Sequence, residues 1–137
     1  HPVITGKINY CQGNRLSSRT SSGSLTPMAQ VANRFFARLL SIILHQKIND
    51  LGPLRVMTWD TLSKLNMRSA GYGWTIEMSA KILKAQVKLS EVPVQYKRRF
   101  KGISKISGNF VTALRAAFVM SLTLLRVMIF WRPQFEN

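Results

Sequence analysis

Residues 76–96 read IEMSAKILKAQVKLSEVPVQY, and this stretch decides the fold because it passes from a helical pattern to a strand pattern. Over residues 76–86, apolar side chains recur on one helical face and lysines on another. Residues 89–96 then alternate between apolar and polar side chains, as a half-buried strand does. Pro93 lies inside this alternation and cannot donate a backbone hydrogen bond, so it predicts an edge or bulged strand.

The same two periodicities place five further elements on either side of that stretch. They are a strand over Lys7–Gln12 that ends in a turn at Gly13-Asn14, a helix over Met28–His45, a short strand over Leu54–Met57, a helix over Trp59–Leu65 capped by Thr58, and a long apolar helix over Phe110–Trp131. We interpret Ser17–Thr26 and Gly71–Trp74 as loops. The order strand, helix, strand, helix, helix, strand, helix predicts a mixed α/β fold with too few strands for a complete sheet.

Two of these helices are amphipathic. In the helix over 28–45, polar side chains recur opposite an apolar stripe of Val31, Phe35, Leu39 and Ile42. In the helix over 110–131, Arg115 and Arg126 share one narrow polar stripe and leave only Ala116–Leu125 between them, which is too short to cross a bilayer. We therefore expect the second helix to lie along a membrane interface, with packing inside the domain as the rival interpretation.

Composition restricts the class of protein and of partner. The chain has 137 residues, 46% of them hydrophobic, which is enough for one folded core. Its formal net charge of +15 predicts an anionic partner, and nucleic acid, an acidic membrane surface and phosphate on a small substrate all fit. Cations crowd into residues 97–105, which we interpret as a basic loop. Nucleic acid is the least favoured partner, because no helix-turn-helix, zinc-finger or RNA-binding aromatic motif is present.

Metal chemistry is not favoured by the residues present. One cysteine, Cys11, and two histidines cannot build a closed zinc site. The five acidic residues lie at least ten positions apart, so they form no local carboxylate cluster for Mg or Ca. The chain opens with His1-Pro2 and not with Met, and we expect it to be a fragment of a longer protein.

Three segments in register resemble a known enzyme family. They are GYGWTIEM at 71–78, EVPVQYKRR at 91–99 and GISKISG at 102–108. Together they resemble the C-terminal half of family 2 glycosyltransferases of the polyprenyl-phosphate (dolichol-phosphate mannosyltransferase-like) type. Upstream, Gly13-Asn14-Arg15 is similar to that family's Gly-Ser-Arg, and Asp50–Arg55 is similar to its Asp-x-x-x-Phe-Arg segment.

The resemblance implies an inverting sugar transfer from a nucleotide sugar to a lipid-linked phosphate, on a Rossmann-like GT-A type fold. The family's donor half, with the Asp-x-Asp motif that holds Mg or Mn, precedes the Gly-Ser-Arg strand and is not in this chain. Residues 1–108 then correspond to the acceptor-side part of the domain, and 109–137 to the amphipathic helix and a tail. The implied location is cytoplasmic and peripheral to an anionic membrane surface.

The resemblance also indicates candidate site residues, and no catalytic residue among them. Those expected to bind the acceptor phosphate are Arg15, Arg98, Arg99, Lys101, Ser104 and Lys105; those expected to organise the pocket are Asp50, Arg55 and Glu77. Arginine forks, lysine charges and a serine hydroxyl are groups that bind phosphate. A base is not required, because a phosphate acceptor is already an anion at neutral pH.

Plainer interpretations stay open for each candidate. The basic loop is also explained as a solvated turn, and Arg15 as a surface arginine. Three interpretations of Asp50 are open: it orients a substrate hydroxyl, it pairs with Arg55, or it forms a turn. Glu77 is also explained by the dipole at the start of a helix. The alternative functions are a small basic nucleic-acid-binding protein and a membrane-surface module without enzyme activity.

Overall fold

The computed structural model describes residues 3–17, 25–95, 97, 101 and 109–135. Its elements in chain order are β1 (Tyr10–Asn14), α1 (Pro27–Leu44), β2 (Arg55–Met57), α2 (Trp59–Leu65), α3 (Tyr72–Lys84), β3 (Leu89–Pro93) and α4 (Phe110–Phe130). The predicted order of strands and helices is confirmed, and the fold is mixed α/β. Apart from Lys97 and Lys101, the predicted basic loop and its extension to 108 lie outside the described residues, as do residues 18–24 of the first loop.

Side-chain caps fix where the helices begin. The Thr26 hydroxyl accepts a hydrogen bond from the Ala29 N–H ahead of α1, and Pro27 occupies the first turn. Thr58 caps α2 in the same way by accepting from the Thr61 N–H, as the sequence predicts. His45 ends α1 in the left-handed conformation with φ 51°, so it lies just beyond the last helical turn.

The three described strands form one mixed sheet with β1 in the middle. β2 pairs antiparallel with β1, with Val56 opposite Cys11, and β3 pairs parallel with it, with Glu91 opposite Gln12. β3 is therefore an edge strand of this sheet, as Pro93 predicts. The predicted turn at Gly13-Asn14 is wrong, because both residues pair with β3 and continue β1 to its end.

Helix α3 is the centre of the packing. It contacts α1, α2 and α4 and contributes to both apolar clusters of the core. On the α1 and α4 side, the buried side chains are Phe36, Ala37, Leu40, Ile76, Ala80, Leu83, Leu124 and Val127, together with Ile48 and Leu51 of the segment before β2. The second cluster joins α3 to β1 and α2.

Two lysines of α3 stabilise the ends of other helices. Lys84 Nζ donates to the carbonyls of Val127, Met128 and Trp131 at the end of α4, over 2.7–3.0 Å. Lys81 Nζ lies 2.9 Å from the carbonyl oxygens of both Leu65 and Asn66, where α2 ends. Carbonyls in the last turn of a helix lack backbone donors, so these ammonium groups satisfy them. The lysine face of α3 is thus an interior face of the fold.

The start of α3 differs from the prediction. Residues 72–74 belong to the helix, and Gly71 precedes it with φ 57°, a conformation that glycine adopts readily. Glu77 therefore lies in the second turn, beyond the reach of the dipole at the helix start. The dipole explanation for Glu77 is wrong.

Helix α1 buries a different stripe from the predicted one. Phe36, Ala37 and Leu40 face the core, whereas Val31 and Ile42 are 67% and 71% exposed. An amphipathic helix ordinarily buries its apolar stripe, so the exposed stripe leaves α1 with apolar surface on both sides.

Helix α4 packs on α3 along one side only. Ala116, Thr123, Leu124 and Val127 are buried. At about 100° per residue Thr123 falls beside the predicted arginine stripe, but it belongs to the packed side. The exposed apolar side chains on the other side are Phe110, Val111, Leu114, Phe118, Leu122, Leu125, Ile129 and Phe130. By length and composition, α4 is the one helix within the described ranges that is suited to crossing a bilayer. That it lies along an interface instead stays a prediction.

Candidate functional site

Polar side chains converge where β1 and β3 end. These strands run parallel, so their carboxyl ends lie together at one edge of the sheet. Gln12, Asn14, Arg15, Asp50 and Glu91 form one connected hydrogen-bond network there, which we call the strand-end network. Its members come from segments up to 79 residues apart in the chain.

The ion pair between Arg15 and Asp50 holds one side of the network. Arg15 Nε lies 2.9 Å from Asp50 Oδ2 and Nη2 lies 2.8 Å from Oδ1, a two-pronged contact. The backbone N–H of Arg15 also donates to Oδ2, at 2.6 Å. Asp50 is fully buried, and a buried carboxylate requires such compensation. Asp50 is ion-paired, with Arg15 and not with Arg55 as one interpretation expected. That it orients a substrate hydroxyl stays a prediction.

The carboxylate of Glu91 holds the other side. It accepts hydrogen bonds from Gln12 Nε2 at 2.9 Å, from the backbone N–H of Asn49 at 3.0 Å and from the Asn49 side-chain amide. Gln12 Nε2 also donates to the Asp50 carbonyl at 2.6 Å, so its amide links the two sides. The Tyr10 hydroxyl donates to Gln12 Oε1, and burial raises the pKa of Tyr10 to about 12, which keeps it a neutral donor.

Arg55 and Gly52 connect the network to α3. Arg55 Nε donates to the Gly52 carbonyl at 3.0 Å, and Nη2 lies 3.3 Å from both Thr75 O and Ser79 Oγ. Burial lowers the pKa of Arg55, although the negative charge of Asp50 opposes that effect. A Cβ on Gly52 would lie 2.5 Å from the Gly13 carbonyl oxygen, so the close approach of the two segments requires glycine here.

One buried donor next to the network has no partner within the described part of the chain. Asn33 of α1 accepts the Leu51 N–H through Oδ1 at 3.0 Å, which places its amide beside the segment that carries Asp50. Asn33 Nδ2 is buried and makes no hydrogen bond there. An unsatisfied buried donor costs free energy, and it is a natural partner for an acceptor atom of a ligand.

The structure brings together three of the nine predicted site residues: Arg15, Asp50 and Arg55. Glu77 lies on the side of α3 that faces away from the strand-end network. Lys101 is exposed. The remaining four, Arg98, Arg99, Ser104 and Lys105, lie outside the described residues.

Glu77 is occupied by hydrogen bonds. It accepts from the backbone N–H groups of Arg68 at 3.0 Å and Ser69 at 2.6 Å, and Lys81 Nζ lies 2.6 Å from Oε1. Burial alone raises the pKa of Glu77, but the bonds from Lys81 and from the two amides outweigh burial and lower it overall. The carboxylate is therefore ionised at neutral pH and fixed in place, which suits an organising group better than a base.

Sequence reasoning missed Gln12, Asn33, Asn49 and Glu91 as site residues. One signal was available for Gln12: it follows Tyr10 by two positions and so lies on the same face of the strand, where a second polar side chain needs a buried partner. Glu91 belongs to a segment that carries the family resemblance, but its bonds depend on strand pairing across 79 residues.

The network combines charged side chains, amides and one hydroxyl that are bonded to one another. Within the described ranges, no three metal-ligating side chains come together. The charges of Arg15, Asp50, Arg55 and Glu91 compensate one another, and the hydroxyl and amide groups of the network are fixed by hydrogen bonds.

The class of protein that the fold defines is a mixed α/β protein with a small three-stranded sheet and four helices in its described parts. No protein-family model, curated protein or solved structure matches the chain.

Proposed function

We propose that this chain is the acceptor-side part of a glycosyltransferase that moves a sugar from a nucleotide sugar to polyprenyl phosphate or a similar lipid-linked acceptor. The observation that carries the proposal is the convergence of family-like segments in space. Gly13-Asn14-Arg15, Asp50–Arg55 and Glu91 meet in the strand-end network, although they are far apart in the sequence. Segments that serve one site must meet in this way.

The location of the network also supports the proposal. In α/β folds, ligands bind beyond the carboxyl ends of parallel strands, and β1 and β3 end at the network. A GT-A type fold is the form of mixed α/β fold that we propose for the complete protein. The described strands would then be the acceptor-side part of a larger sheet.

The chain's own residues would hold the acceptor. Asp50 fixes Arg15, and Arg55 fixes the Gly52 segment against α3, so the polar groups around an acceptor would be preorganised. The buried Asn33 amide offers a donor for a phosphate or hydroxyl oxygen. A phosphate acceptor attacks as an anion, so these residues position it and need not remove a proton.

The described residues do not fit a metal site. Asp50 is engaged by Arg15, and Glu91 by three amide-bearing residues, so neither carboxylate is available to a divalent cation. Mg or Mn in a complete enzyme of this type would be held, with the nucleotide sugar, by residues that precede Gly13.

The exposed helix faces support a location at the cytoplasmic surface of an anionic membrane. Both α1 and α4 pack towards α3 with one side and expose apolar side chains on the other. Exposed arginines accompany these faces, Arg34 and Arg38 on α1 and Arg115 and Arg126 on α4. Apolar surface beside cations is the arrangement with which helices bind anionic lipid surfaces.

Binding of a lipid phosphate tests the proposal. The purified chain is titrated with nanodiscs that contain undecaprenyl phosphate, and with nanodiscs that contain undecaprenol plus enough phosphatidylglycerol to match the charge. We expect binding to be tighter with the phosphate form by about tenfold, since one or two charge-assisted bonds separate the two. Equal binding to both would contradict an acceptor site and favour the membrane-surface module.

Asn33→Asp sharpens this test because it keeps the acceptor for the Leu51 N–H and replaces the unpartnered donor by a negative charge. We expect it to lower the preference for the phosphate form. Gln86→Glu is the matched control, since it makes the same amide-to-carboxylate change at an exposed position beyond α3. The coding sequence ahead of His1 gives a second test: an in-frame Asp-x-Asp motif before Gly13 supports the enzyme, and a start at His1 counts against it.

A further inference from the structure

A second candidate site lies on the opposite side of α3 from the strand-end network. It is a cleft of about 860 Å³ between the segment that follows α2, the Glu77 and Lys81 face of α3, the second half of α4 and the tail after it. Arg68, Arg126 and Arg132 line it from three of these segments. We call it the arginine cleft.

The floor of the cleft is polar but already satisfied. Glu77 accepts bonds from Lys81 and from two backbone amides, and Lys81 also donates to two carbonyls. Lys81 Nζ lies 5.4 Å from the centre of the Trp131 ring, a cation–π contact. The one carboxylate of the lining is therefore neutralised by its own lysine and is not free to balance the arginines.

The three arginines have no carboxylate partner within the described part of the chain. Each of the four described acidic residues is engaged elsewhere: Asp50 by Arg15, Asp60 by Lys64, Glu77 by Lys81, and Glu91 by the amides of the strand-end network. Arg68, Arg126 and Arg132 are all exposed. The described lining thus carries four cations and one carboxylate, a surplus of three positive charges.

The positive charge of Arg132 affects the pKa of the neighbouring Lys84. Burial lowers the pKa of Lys84, and the positive charge of Arg132 lowers it further. Like charges are held near each other at this end of α4, where an anion would relieve their repulsion.

We propose that the arginine cleft binds a phosphate monoester group and that a lipid headgroup supplies it. Arginine forks match the geometry of phosphate oxygens, and three of them favour a monoester, which carries nearly two charges, over a singly charged diester. The lipid source follows from α4: Phe130 lines the cleft and is 77% exposed, and Arg126 lies between the cleft and the exposed apolar side of the helix. A headgroup in the cleft therefore leaves its acyl chains beside apolar surface.

This site goes beyond the proposed acceptor site and is separated from it by α3. Arg55 contacts the side of α3 that carries Thr75 and Ser79, whereas Glu77 and Lys81 face the cleft. At about 100° per residue, Ser79 and Lys81 point about 160° apart. One ligand cannot contact both sites at once, so each can fail without the other.

Vesicle flotation tests the assignment. The whole chain is mixed with vesicles of a neutral lipid to which phosphatidic acid is added, or phosphatidylglycerol in the amount that gives the same surface charge. We expect tighter binding to phosphatidic acid than to phosphatidylglycerol, and a loss of that preference when Arg68→Gln, Arg126→Gln and Arg132→Gln are combined. The fold should survive, because these side chains are exposed and Arg68 holds Glu77 through its backbone amide; a thermal melt checks this.

The matched control is the triple variant Lys7→Gln, Lys47→Gln and Lys88→Gln, which removes the same charge at exposed positions outside the cleft. It should weaken binding to both lipids equally and keep the preference for phosphatidic acid. Equal losses in the two triple variants, or no preference in the parent chain, would overturn the cleft as a site and indicate diffuse attraction.

Inorganic phosphate separates the two sources of the ligand. If phosphate in millimolar amounts saturates the cleft in an arginine-dependent way and does not displace phosphatidic acid vesicles competitively, the lipid assignment is wrong. Asn33→Asp should leave the preference for phosphatidic acid intact. Loss of that preference in Asn33→Asp would mean that flotation reports the strand-end network and would overturn the cleft.

Discussion

The two sides of α3 differ in how far their charged side chains are compensated by partners of opposite charge or by hydrogen bonds. On the Ser79 side, the strand-end network pairs each of its two carboxylates with a cation or with amides, and its members are buried or half-buried. On the Lys81 side, one neutralised carboxylate lies beneath three exposed arginines that have no carboxylate partner among the described residues. A compensated network stabilises the fold and preorganises polar groups, whereas an uncompensated cluster attracts an anion. The comparison predicts that substitutions on the buried pairs change stability and that those on the arginines change binding.

The largest expected effect comes from Lys81→Met. It leaves the Glu77 carboxylate buried without its cation and removes the donor from the carbonyls of Leu65 and Asn66. Breaking a buried pair by removing one partner costs about 3–5 kcal/mol, so the free energy of unfolding in urea should fall by that amount. Asp60→Asn is the control, because its pair with Lys64 is exposed and contributes about 0–1 kcal/mol. Similar losses in both variants would contradict the assignment of Lys81.

Asp50→Asn should have the next largest effect. It removes the charge that holds Arg15 and retains the size of the side chain, so we expect a loss of about 2–3 kcal/mol. Arg15 is partly exposed and water solvates it when the pair is broken, which is why the loss should be smaller than for Lys81→Met. Binding to phosphatidic acid vesicles should not change. If Asp50→Asn lowers that binding while Lys81→Met spares stability, the contrast between the two sides of α3 is wrong.

Protonation of Glu77 in acid should also destabilise the protein, to a smaller extent than Lys81→Met or Asp50→Asn. The pKa of Glu77 is lowered in the folded state, so its contribution to stability is present above the unfolded value of about 4.3 and is lost as pH falls through the folded value. Urea midpoints measured from pH 6 downwards should therefore decline more steeply in the parent chain than in Glu77→Gln. Parallel declines would show that Glu77 is not the titrating group.

Much of the fold was predictable from the sequence. The order of the seven described elements follows from periodicity, and Thr58 and Pro27 mark helix starts by local chemistry alone. Gly13-Asn14 was misassigned because its strand character comes from pairing with β3, a contact between distant segments. Likewise, α1 has apolar side chains on two sides, and the sequence does not say which side the core takes.

The candidate site was predictable only in part. The family-like segments predicted Asp50, Arg15 and Arg55 as site residues, and these residues do meet. The segments did not predict that Asp50 pairs with Arg15. Gln12 and Glu91 join through strand register, which acts across the chain. The arginine cleft had no signal in the sequence, because Arg68, Arg126 and Arg132 stand singly in segments that only the packing on α3 brings together.

The smallest predicted effect distinguishes binding in the arginine cleft from binding by the exposed apolar side of α4, which we call the membrane face. Arg115 and Arg126 lie on the same side of α4 about three turns apart, and of the two Arg126 lines the cleft. If α4 lies along the interface, each arginine near the lipid surface contributes about 1 kcal/mol of attraction to anionic vesicles. Arg115→Gln should then weaken flotation about fivefold for phosphatidic acid and phosphatidylglycerol alike, and high salt or alkaline carbonate should release the parent chain. Arg126→Gln should weaken binding to phosphatidic acid more than to phosphatidylglycerol. Carbonate-resistant insertion would show that α4 spans the bilayer, and identical behaviour of the two variants would remove the distinction between cleft and membrane face.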